Sequence, residues 1–244
     1  MDKSKVLLTI IGVLAGFIAG FLFANKVNRQ DPETSRTENT RPENAKQNPT
    51  NQQDQPDLSP EEIRRTIAKA DQTPDDTEFQ RKLGLALYRY TASQGDTSYL
   101  TDIARILKRA ADTNSKDYEL LVTLGDVHFD LGNQGDAKYF REAREWYQKA
   151  LAVKPNDPNV RTDLGLTYYF DNPSAPEKAI AEYRKSLLID PKHELTLQNL
   201  ATALIAIKQY EEAQKRIEEL RGINPKNQAL PNLEAQLAQS KVKG

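Results

Sequence analysis

The chain has no cysteine among its 244 residues. That excludes disulfides, thiolate nucleophiles and cysteine-based zinc sites, and it fits an oxidising compartment as well as a reducing one. Histidine is almost as scarce: His128 and His193 stand 65 residues apart, so no pair has the spacing of a metal site. Charge of one sign is missing too. The 34 basic and 35 acidic residues leave a net charge of −1, without the basic excess that nucleic-acid binding usually needs. No nucleophile–base motif or phosphate loop is present, so neither an enzyme nor a cofactor is expected.

What is present is repetition. Leu83-Gly84, Leu124-Gly125 and Leu164-Gly165 lie 41 and 40 residues apart, and Leu200-Ala201 follows 36 later. Each pair leads into a second apolar stretch closing on Ala110, Ala150, Ser186 or Leu220. Five residues further on stand Ser115, Pro155, Pro191 and Pro225. Periodicity of this length means stacked helical hairpins, which bury the seams between neighbours and leave faces free to hold a partner.

The ends differ from the body. After a five-residue tail (1–5), Val6 to Ala24 contain no charge and one hydroxyl. As a helix they span roughly 28 Å, close to the hydrocarbon thickness of a bilayer. The run exceeds a typical signal core and no clean cleavage site follows, so an uncleaved anchor is favoured. Lys3 and Lys5 suit a cytoplasmic N-terminus, which in a bacterium would place the body in the periplasm, on the inner membrane. Lys26 and Arg29 on the other flank blunt that inference. Gly12, Gly16 and Gly20 share one face as a tandem G-x-x-x-G stripe. This spacing supports helix association in lipid; it also fits the general abundance of glycine in such helices. Residues 25–58 are polar, with four prolines, and are expected to form a disordered tether.

Ser59-Pro60-Glu61-Glu62 reads as a capping box opening a flanking helix within 59–75. Hairpins are expected over 76–116, 117–156, 157–192 and 193–225, with a capping helix in 226–244 whose Leu233 and Leu237 face the fourth hairpin while Glu234 and Gln236 face water. Gln94-Gly95-Asp96 and Gln134-Gly135-Asp136 mark the same long turn twice, and Asp171 to Ser174 a shorter one. Glu142, Arg144, Glu145 and Lys149 read as a solvated face, His128 as packed and Trp146 as seam filling.

These positions resemble the tetratricopeptide repeat (TPR) pattern. Leu164, Gly165, Tyr168, Ala179, Tyr183, Leu187 and Pro191 match it in the third hairpin. Leu124, Gly125, Ala143, Tyr147, Ala150 and Pro155 match in the second, and Leu200, Leu204, Ala213 and Pro225 in the fourth. The first is weakest, with Ser115 for the proline and Ile103 for a small residue. The family repeats every 34 residues, and the longer periods here put extra length between the paired helices. The separate transmembrane helix is expected from the uncharged run 6–24; the resemblance implies an all-α, right-handed solenoid of about four hairpins with flanking helices. It implies a concave groove lined by the first helix of each hairpin. Carried onto this chain, the groove positions are Arg81, Leu85, Tyr88 and Arg89; Val122, Asp126, Phe129 and Asp130; Thr162, Leu166 and Tyr169; and Gln198 and Thr202. Tyr88, Phe129 and Tyr169 recur at equivalent places, where they either meet an apolar or extended peptide or pack on the neighbouring helix. Arg81 and Arg89 are candidates to hold a carboxylate, but Val122 and Thr162 replace the polar and basic set of a chaperone-tail clamp. The expected partners are a protein or peptide client, the membrane and a second copy of the chain; nucleic acid is not. Anchor, tether and repeats together are similar to the TPR subunits of bacterial cytochrome c biogenesis and to periplasmic TPR partners of envelope chaperones.

Overall fold

A computed structural model describes residues 59–243, which form ten helices and no strand. They are α1 (Pro60–Gln72), α2 (Thr77–Gln94), α3 (Leu100–Thr113), α4 (Tyr118–Asn133), α5 (Lys138–Val153), α6 (Pro158–Tyr169), α7 (Pro176–Ile189), α8 (Glu194–Ala206), α9 (Tyr210–Ile223) and α10 (Leu230–Lys243). The expected anchor (6–24) with Gly12, Gly16 and Gly20, and the expected tether (25–58), lie outside the described residues. Among those described, no helix is long and apolar enough to cross a membrane.

Two compact units divide the chain between Lys69 and Ala70. The first is described from Ser59, where the capping box forms. The Ser59 amide donates to Glu62 Oε2 at 2.9 Å and the Glu62 amide to Ser59 Oγ at 3.3 Å. These bonds hold the Glu62 carboxyl below its usual range, and together they satisfy two otherwise orphaned backbone donors.

The second unit is an array of four antiparallel hairpins, α2/α3, α4/α5, α6/α7 and α8/α9, closed by α10. Each helix packs on its hairpin partner, and neighbouring hairpins join mainly through the second helix of one against the first helix of the next: α3 on α4, α5 on α6 and α7 on α8. Aspartate starts the first helix of three hairpins: Asp76 accepts from the Phe79 amide, Asp117 from Leu120, and Asp157 from Asn159 and Val160. Such a cap contributes about 1 kcal/mol. The two long turns are indeed alike. Gly95 and Gly135 both take positive φ (65° and 115°), and the aspartate after each accepts the amide two residues on. In the fourth hairpin Lys208 occupies the left-handed conformation with φ 61°, and the Gln209 amide closes the turn onto Leu204 O at 2.9 Å.

Small residues let paired helices approach. A methyl on Gly125 would meet the Tyr147 ring at 2.3 Å, and one on Gly165 the Tyr183 ring at 2.4 Å. The fourth hairpin has alanine there, and the facing aromatic becomes aliphatic: Ala201 shares its core with Ile217. The close approach therefore survives by exchanging volume between facing positions. Helix α10 places Leu230, Leu233 and Leu237 in that same core, each buried leucine stabilising by about 2 kcal/mol. Gln236 is half-buried, and its amide donates at the surface to Asn232 Oδ1 at 3.1 Å.

Candidate binding surface

The first helices of the hairpins (α2, α4, α6 and α8) carry every expected groove residue, and their side chains divide into three groups. The first group is interior. Leu85 is 4% exposed and packs in the core. Thr162 is wholly buried: its hydroxyl donates to Pro158 O at 2.7 Å and lies 3.1 Å from Ser186 Oγ and 2.6 Å from Thr196 Oγ1. These two assignments are corrected. A threonine with three polar neighbours inside a seam binds its own fold, because a buried hydroxyl must be satisfied there.

The second group is engaged in ion pairs. Arg81 binds Asp117 Oδ2 at 2.5 Å and Glu119 Oε2 at 2.7 Å, and Arg89 binds the other oxygen of Glu119. Burial pushes the Asp117 carboxyl up, but the bonds from Arg81 and from the Leu120 amide leave it below its usual range. Both arginines already hold carboxylates of the next hairpin, so they join repeats and are not open for a ligand carboxylate.

The third group is half-buried and reaches the surface: Tyr88, Val122, Asp126, Phe129, Asp130, Leu166, Tyr169, Gln198 and Thr202. Helix α4 puts Asp126, Phe129 and Asp130 on one face, at i, i+3 and i+4. Tyr88 donates from α2 to Asp130 Oδ2 at 2.9 Å, and Tyr147 donates to Asp126 Oδ1 at 2.9 Å. Burial pushes the Tyr88 hydroxyl up strongly, and the charges of Asp126, Asp130 and Asp163 push it further. Burial also raises the Asp130 carboxyl, against the Tyr88 bond. Phe129 meets Phe140 edge-on at 5.3 Å and Phe170 at 5.9 Å, and Tyr169 meets Phe170 at 5.3 Å. Phe140 is 5% exposed and fixes the cluster to the core, while Phe170 is 47% exposed. At the far end Gln198 donates to Asn227, and Asn224 and Asn227 both donate to Glu194 Oε2. There, Gln198, Asn224, Lys226 and Asn227 line an open depression of about 610 Å³. Thr202 donates to Gln198 O one turn back.

Asp163 and Phe170 are additions to the expected set. The signal for Phe170 was in the spacing: Tyr88-Arg89, Phe129-Asp130 and Tyr169-Phe170 are equivalent pairs, and only the last was cut short at its first member. Another reading is corrected. Arg144 is no solvated residue of α5; it reaches Asp171 Oδ2 at 2.8 Å and Thr167 O at 3.0 Å, and lies 3.9 Å over the Tyr168 ring. His128 is packed, its Nδ1–H donating to Leu124 O at 2.7 Å. Among the described residues no group of three or more acidic or histidine side chains is placed to hold a metal ion.

Comparison with known proteins comes to the same architecture. Residues 60–168 match the family model Tetratricopeptide Repeats-Sensor, and residues 174–237 match Tetratricopeptide repeat. A search of curated proteins finds no match. Among solved structures, MamA is similar at 21% identity with a TM-score of 0.54, covering 68% of this chain and 88% of its own. YrrB, described as a TPR protein with an unusual peptide-binding site, is similar at 16% identity with a TM-score of 0.55, covering 72% of this chain and 84% of its own. A tetratricopeptide repeat protein from Parabacteroides merdae has 19% identity and a TM-score of 0.52, over 73% of this chain and 61% of its own. Identities this low speak for the fold alone.

Proposed function

This chain is a tetratricopeptide repeat protein, and from that premise we propose that it is a membrane-tethered adaptor holding a protein or peptide client along α2, α4 and α6. TPR proteins are generally interaction scaffolds without catalytic activity, and YrrB is described as having a peptide-binding site. The observation that carries the reading is the stripe of half-buried side chains. Tyr88 on α2, Asp130 and Phe129 on α4, and Tyr169 and Phe170 at the end of α6 run across the first helices of three successive hairpins, joined by one hydrogen bond and two ring contacts. Aromatic side chains held rigidly beside polar ones are the usual anchors of peptide recognition.

The tether rests on sequence: the uncharged run 6–24 has the length of a membrane span, and the polar stretch 25–58 gives the body reach. We place the anchor in a bacterial inner membrane, with the repeats in the periplasm and the client in the assembly of envelope or cytochrome c complexes. The test is photocrosslinking in cells from positions 88, 129 and 169, with Leu188 (85% exposed, on α7) as control. One protein captured from all three positions and not from 188 supports the adaptor. Lipid adducts alone, or equal capture from 188, end it. A C-terminal reporter fusion reads the sidedness.

A second reading, a self-associating scaffold, is favoured by the register of Gly12, Gly16 and Gly20. It fails if the full chain is monomeric in detergent and Gly16→Ile changes nothing.

A further inference from the structure

We infer that the stripe across α2, α4 and α6 selects an extended peptide in which a lysine or arginine side chain alternates with an apolar one; this rests on the groove reading above. The stripe has two chemically different halves. On the α2 side Asp130 is half-buried, and the neutral Tyr88 hydroxyl donates to it at 2.9 Å. Burial raises its carboxyl, with only that bond opposing. A carboxylate in this position gains from an incoming ammonium or guanidinium, which supplies a charge-assisted bond where now there is a hydroxyl. Asp126, one turn away on the same face, and Asp163 on α6 deepen the negative potential that Tyr88 feels.

On the α6 side the surface is aromatic. Phe129, Phe140 and Phe170 form a cluster with centroids 5.3 to 6.0 Å apart, and Tyr169 extends it. Phe140 is buried, so the ledge is anchored and costs little ordering when a ligand settles on it. An exposed ring beside carboxylates attracts the same ligand twice, through its apolar face and through its attraction for cations. The basic residues of α2 on this side, Arg81 and Arg89, are bound to Asp117 and Glu119 at the N-terminal end of α4, and Arg141 and Arg144 beside Phe170 are bound to Asp171.

The first helices of these hairpins touch through side chains, Tyr88 on Asp130 and Phe129 on Phe170, and helices in side-chain contact lie about 10 Å apart, so α2 to α6 spans roughly 20 Å. An extended chain crosses that in about six residues, with alternate side chains on the same side about 6.6 Å apart. A basic residue facing Asp130 and an apolar one further along, facing Phe170, match the two halves.

The test uses the full chain in detergent and two fluorescent octapeptides, one alternating lysine and phenylalanine with glycine and serine, the other with glutamate replacing lysine. The lysine peptide is expected to bind about tenfold more tightly, with the advantage shrinking as salt rises. Asp130→Asn keeps the acceptor for Tyr88 and is expected to remove the preference, while Phe170→Ala weakens both peptides and Leu188→Glu neither. Equal affinities that both fall with Phe170→Ala would overturn the charge selection and leave the groove standing as a docking surface. Preference for glutamate, an unchanged preference in Asp130→Asn, or no binding by either peptide would also overturn it; the crosslinking pattern then judges the groove separately.

Discussion

Gly165→Ala puts the helix contact of the third hairpin to a quantitative test. The new methyl would stand 2.4 Å from Cε1 and 2.7 Å from Cδ1 of Tyr183. Ordinary contact needs more than 3.4 Å, so the ring would have to retreat by about 1 Å, into a core packed to crystal-like density. Tyr183 is 1% exposed and has nowhere open to swing. Overpacking of this kind costs about 1–3 kcal/mol; the better helix propensity of alanine returns about 1 kcal/mol. With contacts this short the cost falls in the upper part of that range, about 2–3 kcal/mol, so the net loss is about 1–2 kcal/mol, or roughly 2–8 °C in the melting temperature of a chain this size. Tyr183→Ile on its own leaves a cavity and destabilises by about 2–4 kcal/mol. The pair together reproduces the fourth hairpin, where Ala201 shares a core with Ile217, so the double variant should be more stable than the sum of the singles by about 1–2 kcal/mol. Thermal melts followed by far-ultraviolet circular dichroism on the four proteins measure the cycle. A Gly165→Ala protein as stable as its parent, or strict additivity, would refute the reasoning.

Other perturbations separate fold from binding. Lys208→Gly relieves a left-handed residue with φ 61° and should raise stability by about 1 kcal/mol, read as a higher denaturant midpoint; a lower one would mean that the turn is held by the lysine side chain. Thr162→Val leaves Ser186 and Thr196 short of a partner and should cost about 1–2 kcal/mol, with client affinity unchanged; loss of binding at unchanged stability would return Thr162 to the groove. His193 Nδ1 lies 2.6 Å from Thr196 Oγ1, and Nε2 lies 3.0 Å from Asn159 Oδ1. Burial lowers its pKa below 6.5, against the nearby charges of Asp190, Asp157 and Glu194. The unfolded chain therefore takes up the proton first, so the stability from neutral His193 is complete above pH 6.5 and is lost as pH falls through the lower folded value. Denaturant midpoints measured between about pH 7 and pH 5 should fall less steeply in His193→Gln; equal slopes would sink the assignment.

The features legible in the sequence are those set by local backbone needs. The expected hairpin bounds at 76, 117 and 157 fall on aspartates, short acceptors that cap the helix that follows. Gly95 and Gly135 announce turns because few other residues take positive φ cheaply, although Lys208 does so without any such mark. Gly125 and Gly165 were readable because they recur beside leucine. The Thr162 knot was not readable: it joins residues 24 and 34 positions away in the chain, and a hydroxyl looks the same in sequence whether it meets water or a seam. Arg81 and Arg89 misled for a similar reason. Their partners, Asp117 and Glu119, sit one repeat further on, and only stacking brings them together. Arg144 looked solvated because its neighbours on α5 are charged, yet its guanidinium crosses to Thr167 and Asp171.

The capping aspartates have a mechanical consequence. Asp117 starts α4 and also grips Arg81 of α2; Asp157 starts α6 and also receives the Tyr118 hydroxyl of α4 at 2.7 Å. The first two hairpins thus each hold the first turn of their successor. A tug that loosens one seam frays the next helix at its root, so the array yields like a row of linked carriages rather than as separate beads.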